Sequence, residues 1–137
     1  MNIVDSSGWL EYFAEGENAG FFAPVIEDIE NLLVPVINVY EVFRRILQMQ
    51  GVEKAELRIA DLYKGRQVEL TAPLALSAAQ LSVEYKLPMA DSLILAAARA
   101  CDATLWTQDE HLKISPASSS ARRNETCLAC LITSQRV

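Results

Sequence analysis

The sequence lacks the residue patterns on which several common chemistries depend. Its 137 residues contain one histidine, His111, and no G-x-S-x-G motif, so a Ser-His-Asp triad has little to be built from. No G-x-x-x-x-G-K-[ST] phosphate-binding loop occurs. No apolar run approaches the roughly 20 residues that span a bilayer, and the start MNIVDSSGW lacks the basic and then apolar pattern of a secretory signal. We therefore expect a cytoplasmic protein with no membrane partner.

Cysteine is also scarce. Cys101 lies in an apolar helical pattern, and Cys127 and Cys130 form a single C-x-x-C. A structural zinc site needs four ligands, and a second cysteine pair is missing. Recruitment of Cys101 or His111 as further ligands remains an alternative that the spacing does not favour. We interpret the cysteines as small apolar packing residues.

Basic residues are outnumbered, with 12 Lys and Arg against 18 Asp and Glu and a net charge of −6. This balance argues against a protein that grips nucleic acid with its whole surface. The charge balance does not exclude a protein whose clustered acids bind metal ions, which in turn bind the phosphate groups of a nucleic acid. The apolar content of 51% and charged content of 22% indicate one globular domain.

Apolar segments of strand and helix type alternate along the chain. This alternation predicts an α/β fold, a single domain with a parallel central sheet flanked by helices on both faces. The predicted strands are residues 2–5, 32–37 and 103–107, with a strand or edge segment at 66–72, and the predicted helices are residues 6–15, 18–32, 38–51, 53–64, 77–87 and 89–101. A Ser cap is expected at Ser77.

The end of the chain differs from the rest. Residues 115–125, SPASSSARRNE, are polar and rich in serine, which is typical of a loop. Residues 126–133 follow as a strand or a short helix, and the pattern does not decide between them. We expect a folded domain over residues 1–113 and a divergent C-terminal tail over residues 114–137.

Four acids fall at corresponding places on this map. Asp5 closes the first strand, Glu41 lies in the first turn of the helix after the second strand, Asp91 begins a helix, and Asp109 follows the last strand. Because parallel strands share a direction, their carboxyl ends open on one edge of the sheet, where ligands bind. The positions predict that the four acids meet at that edge.

Each acid also has a simpler explanation. Asp5 could cap a helix, Glu41 could pair with Arg45, Asp91 could stabilise a helix dipole, and Asp109 could belong to a turn. None of these roles explains why all four fall at one edge. Carboxylates crowded together need a cation among them, and oxygen ligands without cysteine or histidine suit Mg²⁺ or Mn²⁺. Such ions promote phosphodiester hydrolysis, and Ser6 and Thr107 stand beside two of the acids as supporting groups.

Three segments, IVDSSGWLEYF, VPVINVYEVFRR and LPMADSLILAAARACDATLWTQDEH, carry a family resemblance. They resemble the successive motifs of the PIN-domain ribonucleases, specifically the VapC-type toxins of bacterial and archaeal toxin–antitoxin pairs. The resemblance runs from Met1 to about Leu112. It implies an endoribonuclease that cleaves RNA with metal-activated water, leaving a 5′-phosphate and a 3′-hydroxyl. The residues implied as catalytic and metal-binding are Asp5, Glu41, Asp91 and Asp109, with Thr107 in support.

The same resemblance implies partners. These are RNA as substrate, a cognate antitoxin as inhibitor, a second copy in a homodimer, and DNA only indirectly through the antitoxin. Arg44 and Arg45, one turn past Glu41, are our predicted contacts to the RNA backbone. The tail after Leu112 departs from the usual short turn and final strand, which leaves the four acids unaffected. Two other readings stay open: a non-catalytic PIN-like interaction module, and a 5′ nuclease acting on DNA.

Overall fold

Four short strands form the centre of the fold. The computed structural model describes residues 1–109 and Leu112, and within them the strands are β1 (Asn2–Val4), β2 (Leu32–Pro35), β3 (Arg66–Val68) and β4 (Thr104–Trp106). They pair in the order β3-β2-β1-β4, and every pairing is parallel. Ile3 in β1 is aligned with Leu33 on one side and Leu105 on the other. The predicted parallel α/β sheet is confirmed.

Helices connect successive strands. They are α1 (Ser6–Phe13), α2 (Ala19–Glu27), α3 (Val36–Gln50), α4 (Val52–Leu62), α5 (Ala72–Tyr85) and α6 (Met89–Ala100), with a short 3₁₀ turn at Ile29–Asn31. Parallel neighbours require crossover connections of this kind, because a tight turn would reverse the chain. None of the helices among the described residues is long and apolar enough to cross a membrane.

The strands bury side chains on both faces. Alternate residues of a strand point to opposite faces, and Ile3 and Leu33 accordingly belong to one apolar cluster while Val4 and Val34 belong to another. The first cluster includes the apolar residues of α5 and α6, and the second includes those of α1 to α4. Helices therefore cover the sheet on both faces, as predicted.

Several predicted boundaries were wrong, among them that of the helix predicted over residues 18–32, which is α2 and ends at Glu27. The second strand ends at Pro35 rather than at residue 37, because Pro35 takes the N-cap position of α3 and that helix begins at Val36. Helix α5 begins at Ala72 rather than at residue 77. Its cap is Thr71, whose hydroxyl accepts a hydrogen bond from the amide of Leu74 at 3.4 Å. Because α3 begins at Val36, Glu41 lies in the second turn of this helix, not in the first as predicted.

Gly51 has a conformational requirement. It separates α3 from α4 with a φ of +87°, a left-handed conformation that side chains with a Cβ rarely adopt. The predicted end of α3 at this glycine is confirmed. The turn lets α4 pack directly against α3.

Candidate functional site

The strand order reverses beside β1. The chain proceeds from β1 to β2 to β3 in one direction and then places β4 on the opposite side of β1. In open parallel sheets such a reversal leaves a crevice at the carboxyl ends of the two strands, because their connecting helices run to opposite faces. Asp5 follows β1 directly, and Thr107 and Asp109 follow β4. These predicted site residues therefore lie at the crevice.

Asp5 is held by hydrogen-bond donors from its own helix. The side chain is only 3% exposed and caps α1, with Oδ1 accepting from the Gly8 amide at 2.7 Å. The Ser7 hydroxyl lies 3.0 Å from both carboxylate oxygens. The capping role considered for Asp5 is thus real, and it fixes the carboxylate at the end of β1.

A second set of contacts ties Asp5 to the segment after β4. The buried Thr107 hydroxyl donates to Oδ2 of Asp5 and accepts from the Asp109 amide at 2.9 Å. Burial raises the pKa of Asp5 above its ordinary value, and the negative charge of Asp109 raises it further, while the bonds from Thr107, Gly8 and Ser7 oppose the rise. Asp5 and Asp109, which follow adjacent strands, therefore repel each other when both are ionised.

Glu41 joins this edge through Ser6. The Ser6 hydroxyl donates to Glu41 Oε2 at 2.6 Å, and its other neighbour, Asn38 Oδ1, is more distant at 3.3 Å. Ser6 therefore positions Glu41, not Asp5 as its sequence position suggested. Within the described part of the chain, Glu41 and Arg45 form no salt bridge, so the helix-pair explanation of Glu41 is not supported.

Asn38 is the residue that sequence reasoning missed. It is fully buried, and its amide donates to the backbone oxygen of Val4 at 2.6 Å, which joins α3 to the end of β1. A buried amide must find partners because leaving its polar atoms unpaired is costly. The signal was available, since Asn38 is a polar residue in the apolar run VPVINV.

Asp91 lies in the first turn of α6 and is half-buried. The cap position of that helix is Pro88, which offers no side-chain hydrogen bond. Helix α6 contacts α3, which carries Glu41. The structure thus confirms that Asp91 lies at the start of this helix, in its first turn, and the membership of Asp91 in the acidic site stays a prediction.

The donor chemistry at this edge suits a hard cation. The side chains near this edge, from Asp5, Ser7, Glu41, Thr107 and Asp109, present carboxylate and hydroxyl oxygens, which Mg²⁺ and Mn²⁺ prefer. Among residues 1–109 and 112, no three His, Cys, Asp or Glu side chains converge into a group able to hold a metal ion. A cation here would relieve the repulsion between Asp5 and Asp109, and it would require the acids to draw closer together.

A cleft adjoins the acidic edge. It has a volume of about 320 Å³ and lies between α1, α3 and α4, with Ser7 and Gln108 at its border with the site. Arg45 and Arg58 line it, whereas Arg44 lines a different, largely apolar groove between α3 and α4. The two arginines predicted to contact RNA are therefore on different surfaces.

Fold and site together define a parallel α/β domain with an acidic, oxygen-rich crevice at its topological switch point. The family model described as PIN domain matches residues 3–114, so the chain belongs to the PIN domain family. The family expectation from the sequence motifs is confirmed. Comparison with curated proteins finds no matching sequence.

Solved structures with the same fold include two bacterial proteins and one archaeal protein. A toxin–antitoxin complex from Klebsiella pneumoniae is 18% identical with a TM-score of 0.68, over 85% of this chain and 94% of that chain. Mycobacterium tuberculosis VapC20, described as a sarcin-ricin loop cleaving toxin, is 16% identical with a TM-score of 0.70, over 82% and 93%. PAE2754 from Pyrobaculum aerophilum is 20% identical with a TM-score of 0.60, over 81% and 76%. Identities this low establish the fold alone.

Proposed function

We propose that the protein is a metal-dependent endoribonuclease, the toxin of a toxin–antitoxin pair. The observation that carries the proposal is the pair of hydrogen-bonded contacts beside the switch point of the sheet. Thr107 binds the Asp5 carboxylate and the Asp109 amide, and Ser6, the neighbour of Asp5 in sequence, binds Glu41. Membership of the PIN domain family supports it, as does the likeness in fold to a toxin that cleaves the sarcin-ricin loop.

The acids are assigned the role of holding Mg²⁺ or Mn²⁺. We assign Asp5, Glu41, Asp91 and Asp109 as ligands, and the ion when bound supplies the positive charge that lowers the pKa of an attacking water and neutralises the leaving oxygen. The chain's own part is to orient the carboxylates, and the hydrogen bonds to Asp5 oppose the rise that burial causes in its pKa. Thr107 and Ser7 hold Asp5, and Ser6 holds Glu41, so that neither carboxylate has to be ordered during the reaction.

The hydrolysis adds one water across a phosphodiester bond. We expect the RNA products to end in a 5′-phosphate and a 3′-hydroxyl. The partners proposed with this activity are a cognate antitoxin, a second copy of the chain, and DNA through the antitoxin only. Exposed apolar side chains support protein partners, because large apolar patches mark interaction sites. They include Tyr40, Leu47 and Tyr63 around the α3–α4 groove.

The test offers RNA and DNA of one sequence to the purified protein with Mg²⁺ or Mn²⁺. Cleavage of RNA alone, abolished by a chelator and restored by added metal, is the expected result. Cleavage of DNA alone would support the 5′ nuclease instead. Cleavage of neither, with no heat of Mn²⁺ binding in a calorimetric titration, would support the non-catalytic module.

A further inference from the structure

Two of the residues that line the cleft between α1, α3 and α4 lie beside the proposed catalytic acids. Ser7 lines it and also donates to Asp5, and Gln108 lines it between Thr107 and Asp109 in sequence. A ligand in the cleft therefore lies directly next to the proposed catalytic residues. The role of the acids as metal ligands gives this cleft no function, so its function is a separate question.

The cleft is locally basic in an acidic protein. Arg45 from α3 and Arg58 from α4 line it together with one acid, Glu11, whereas the whole chain carries a net charge of −6. The Glu11 carboxylate accepts a hydrogen bond from the backbone amide of Asn18 at 3.0 Å, which directs it to the turn after α1. The local charge favours an anionic ligand, and guanidinium groups are well suited to phosphate.

The cleft also has an apolar and aromatic side. Leu10, Phe13 and Ile46 line it, and the Arg58 guanidinium lies over the Phe13 ring at 5.2 Å from the centroid. This cation–π contact holds the guanidinium group over the ring, and guanidinium groups serve as stacking partners for unpaired bases. A volume of about 320 Å³ is at the small end of ligand pockets and suits about one nucleotide unit rather than a duplex.

We propose that this cleft binds one nucleotide of single-stranded RNA next to the bond that is cut. Arg45 contacts the phosphate, and Arg58 contacts phosphate and base from its position on Phe13. The inference rests on the proposed ribonuclease function and deepens it, since it specifies an unpaired strand as substrate and separates Arg45 from Arg44. It also explains how an acidic protein binds RNA, through a short basic segment beside the acids.

The experiment compares Arg45→Ala, Arg58→Ala and Arg58→Lys with Arg66→Ala as a control. Arg66 is an exposed arginine at the start of edge strand β3, away from the carboxyl ends of the strands. The substrate is a single-stranded RNA oligonucleotide cleaved in Mn²⁺ at several salt concentrations. Removing either cleft arginine is expected to raise KM about 5- to 10-fold and to reduce the salt slope of log KM by about 1. We expect kcat to stay within about twofold and Arg66→Ala to match the wild type.

Arg58→Lys separates charge from stacking. It keeps the phosphate contact and loses the planar platform, so its KM should lie between those of the wild type and Arg58→Ala. Thermal melting of each variant confirms that it is folded, and Arg45, being exposed, can be removed without disturbing the core. A duplex RNA of the same sequence should be cleaved poorly by all the variants.

Three results would overturn the inference. If Arg45→Ala and Arg58→Ala cleave RNA with wild-type KM while Asp5→Asn is inactive, the ribonuclease function stands and the cleft assignment fails. If both variants keep wild-type KM but lose affinity for the antitoxin, the cleft is a protein interface. If the wild type cleaves no RNA, the proposed function fails and this inference fails with it.

Discussion

At the scale of single residues, Asp5 combines a structural and a chemical role with opposite demands. Its carboxylate caps α1 and is nearly fully buried, and burial raises its pKa. A raised pKa in the folded state means that the native protein binds the proton more tightly than the unfolded chain does. Stability is then greatest below the unfolded pKa and declines as pH rises through the folded pKa, since ionised Asp5 is disfavoured by burial.

This predicts that Asp5→Asn loses activity without losing stability. Asparagine can still accept the Gly8 amide bond as a cap, and its NH₂ group can donate to the Thr107 hydroxyl oxygen where the carboxylate accepted from it. The substitution also removes the charge that burial disfavours. In urea denaturation at pH 7 the variant should be at least as stable as the wild type, and the difference should shrink toward pH 3. A loss of more than about 1 kcal/mol in the free energy of unfolding at pH 7, which is the usual cost of a lost cap, would contradict this prediction. It would show that the ionised Asp5 carboxylate stabilises the native protein.

Asn38 is predicted to be a structural anchor of the site. In Asn38→Ala the Val4 carbonyl loses its side-chain partner and stays buried, which should lower the free energy of unfolding by about 1–3 kcal/mol. The matched control is Asn31→Ala, an exposed residue whose side chain bonds only to exposed Asp28, and it should change stability by less than about 0.5 kcal/mol. Equal effects of the two substitutions in urea denaturation would contradict this assignment.

The sequence predicted which residues belong to the candidate site better than it predicted which of them bond to each other. Asp5 and Asp109 were expected at one edge of the sheet because each follows a strand, and Thr107 was expected only as a neighbour of Asp109. The bond from Ser6 to Glu41 was not expected, because it depends on how far along α3 the glutamate lies. That position changed when the helix was found to begin at Val36, directly after Pro35.

At the scale of elements, the approach of α1 to the sheet depends on Gly8. A Cβ on this residue would lie 2.6 Å from Val4 Cγ1 and 2.8 Å from Phe22 Cε1. Gly8→Ala should therefore destabilise the protein by about 1–3 kcal/mol, as overpacking does. It should also shift the amide that bonds to Asp5.

Gly20 in α2 provides the control for this prediction. A Cβ there meets nothing within 4 Å, so Gly20→Ala should stabilise the protein by about 0.5–1 kcal/mol through helix propensity alone. Both variants are compared with the wild type by urea denaturation. Equal effects of the two substitutions would contradict the close packing of α1.

The ends of strands and helices were predicted less accurately than their presence. The apolar run 32–37 predicts a strand throughout, because Val36 and Ile37 are as apolar as the residues before them. Proline alone divides the run, by starting α3. Helix α5 was placed too late because Ser77 and Thr71 are both plausible caps by type, and Pro73 fits the first turn after Thr71 as well as a loop before Ser77.

At the scale of the whole molecule, the strand order places the segment after β4 beside Asp5. Sequence alternation predicts a parallel sheet but not which strands are neighbours, so it could not predict that β4 lies beside β1. That pairing places Thr107 next to Asp5. The structure of residues 114–137, including Cys127 and Cys130, lies outside the described residues, and the predictions made for that tail stay predictions.

Divalent ions should stabilise the folded protein. A ligand that binds only the native state at 100 times its Kd adds about 2.7 kcal/mol to the free energy of unfolding. We expect Mn²⁺ to raise the melting temperature of the wild type, a chelator to reverse the rise, and Asp109→Asn to reduce it. Equal shifts in wild type and Asp109→Asn would show that the ion binds elsewhere.

The central claim is that the acids at the sheet edge form one catalytic centre, and the place of Asp91 in that centre is a prediction. The most direct measurement is the single-turnover rate of RNA cleavage in Mn²⁺ by the wild type and Asp91→Asn, with a urea denaturation of each. A helix-dipole role alone would cost about 0.3–1 kcal/mol of stability and no activity. We predict a rate at least about 100-fold lower, equivalent to roughly 2.7 kcal/mol of barrier, at nearly unchanged stability. A wild-type rate in Asp91→Asn would contradict the account.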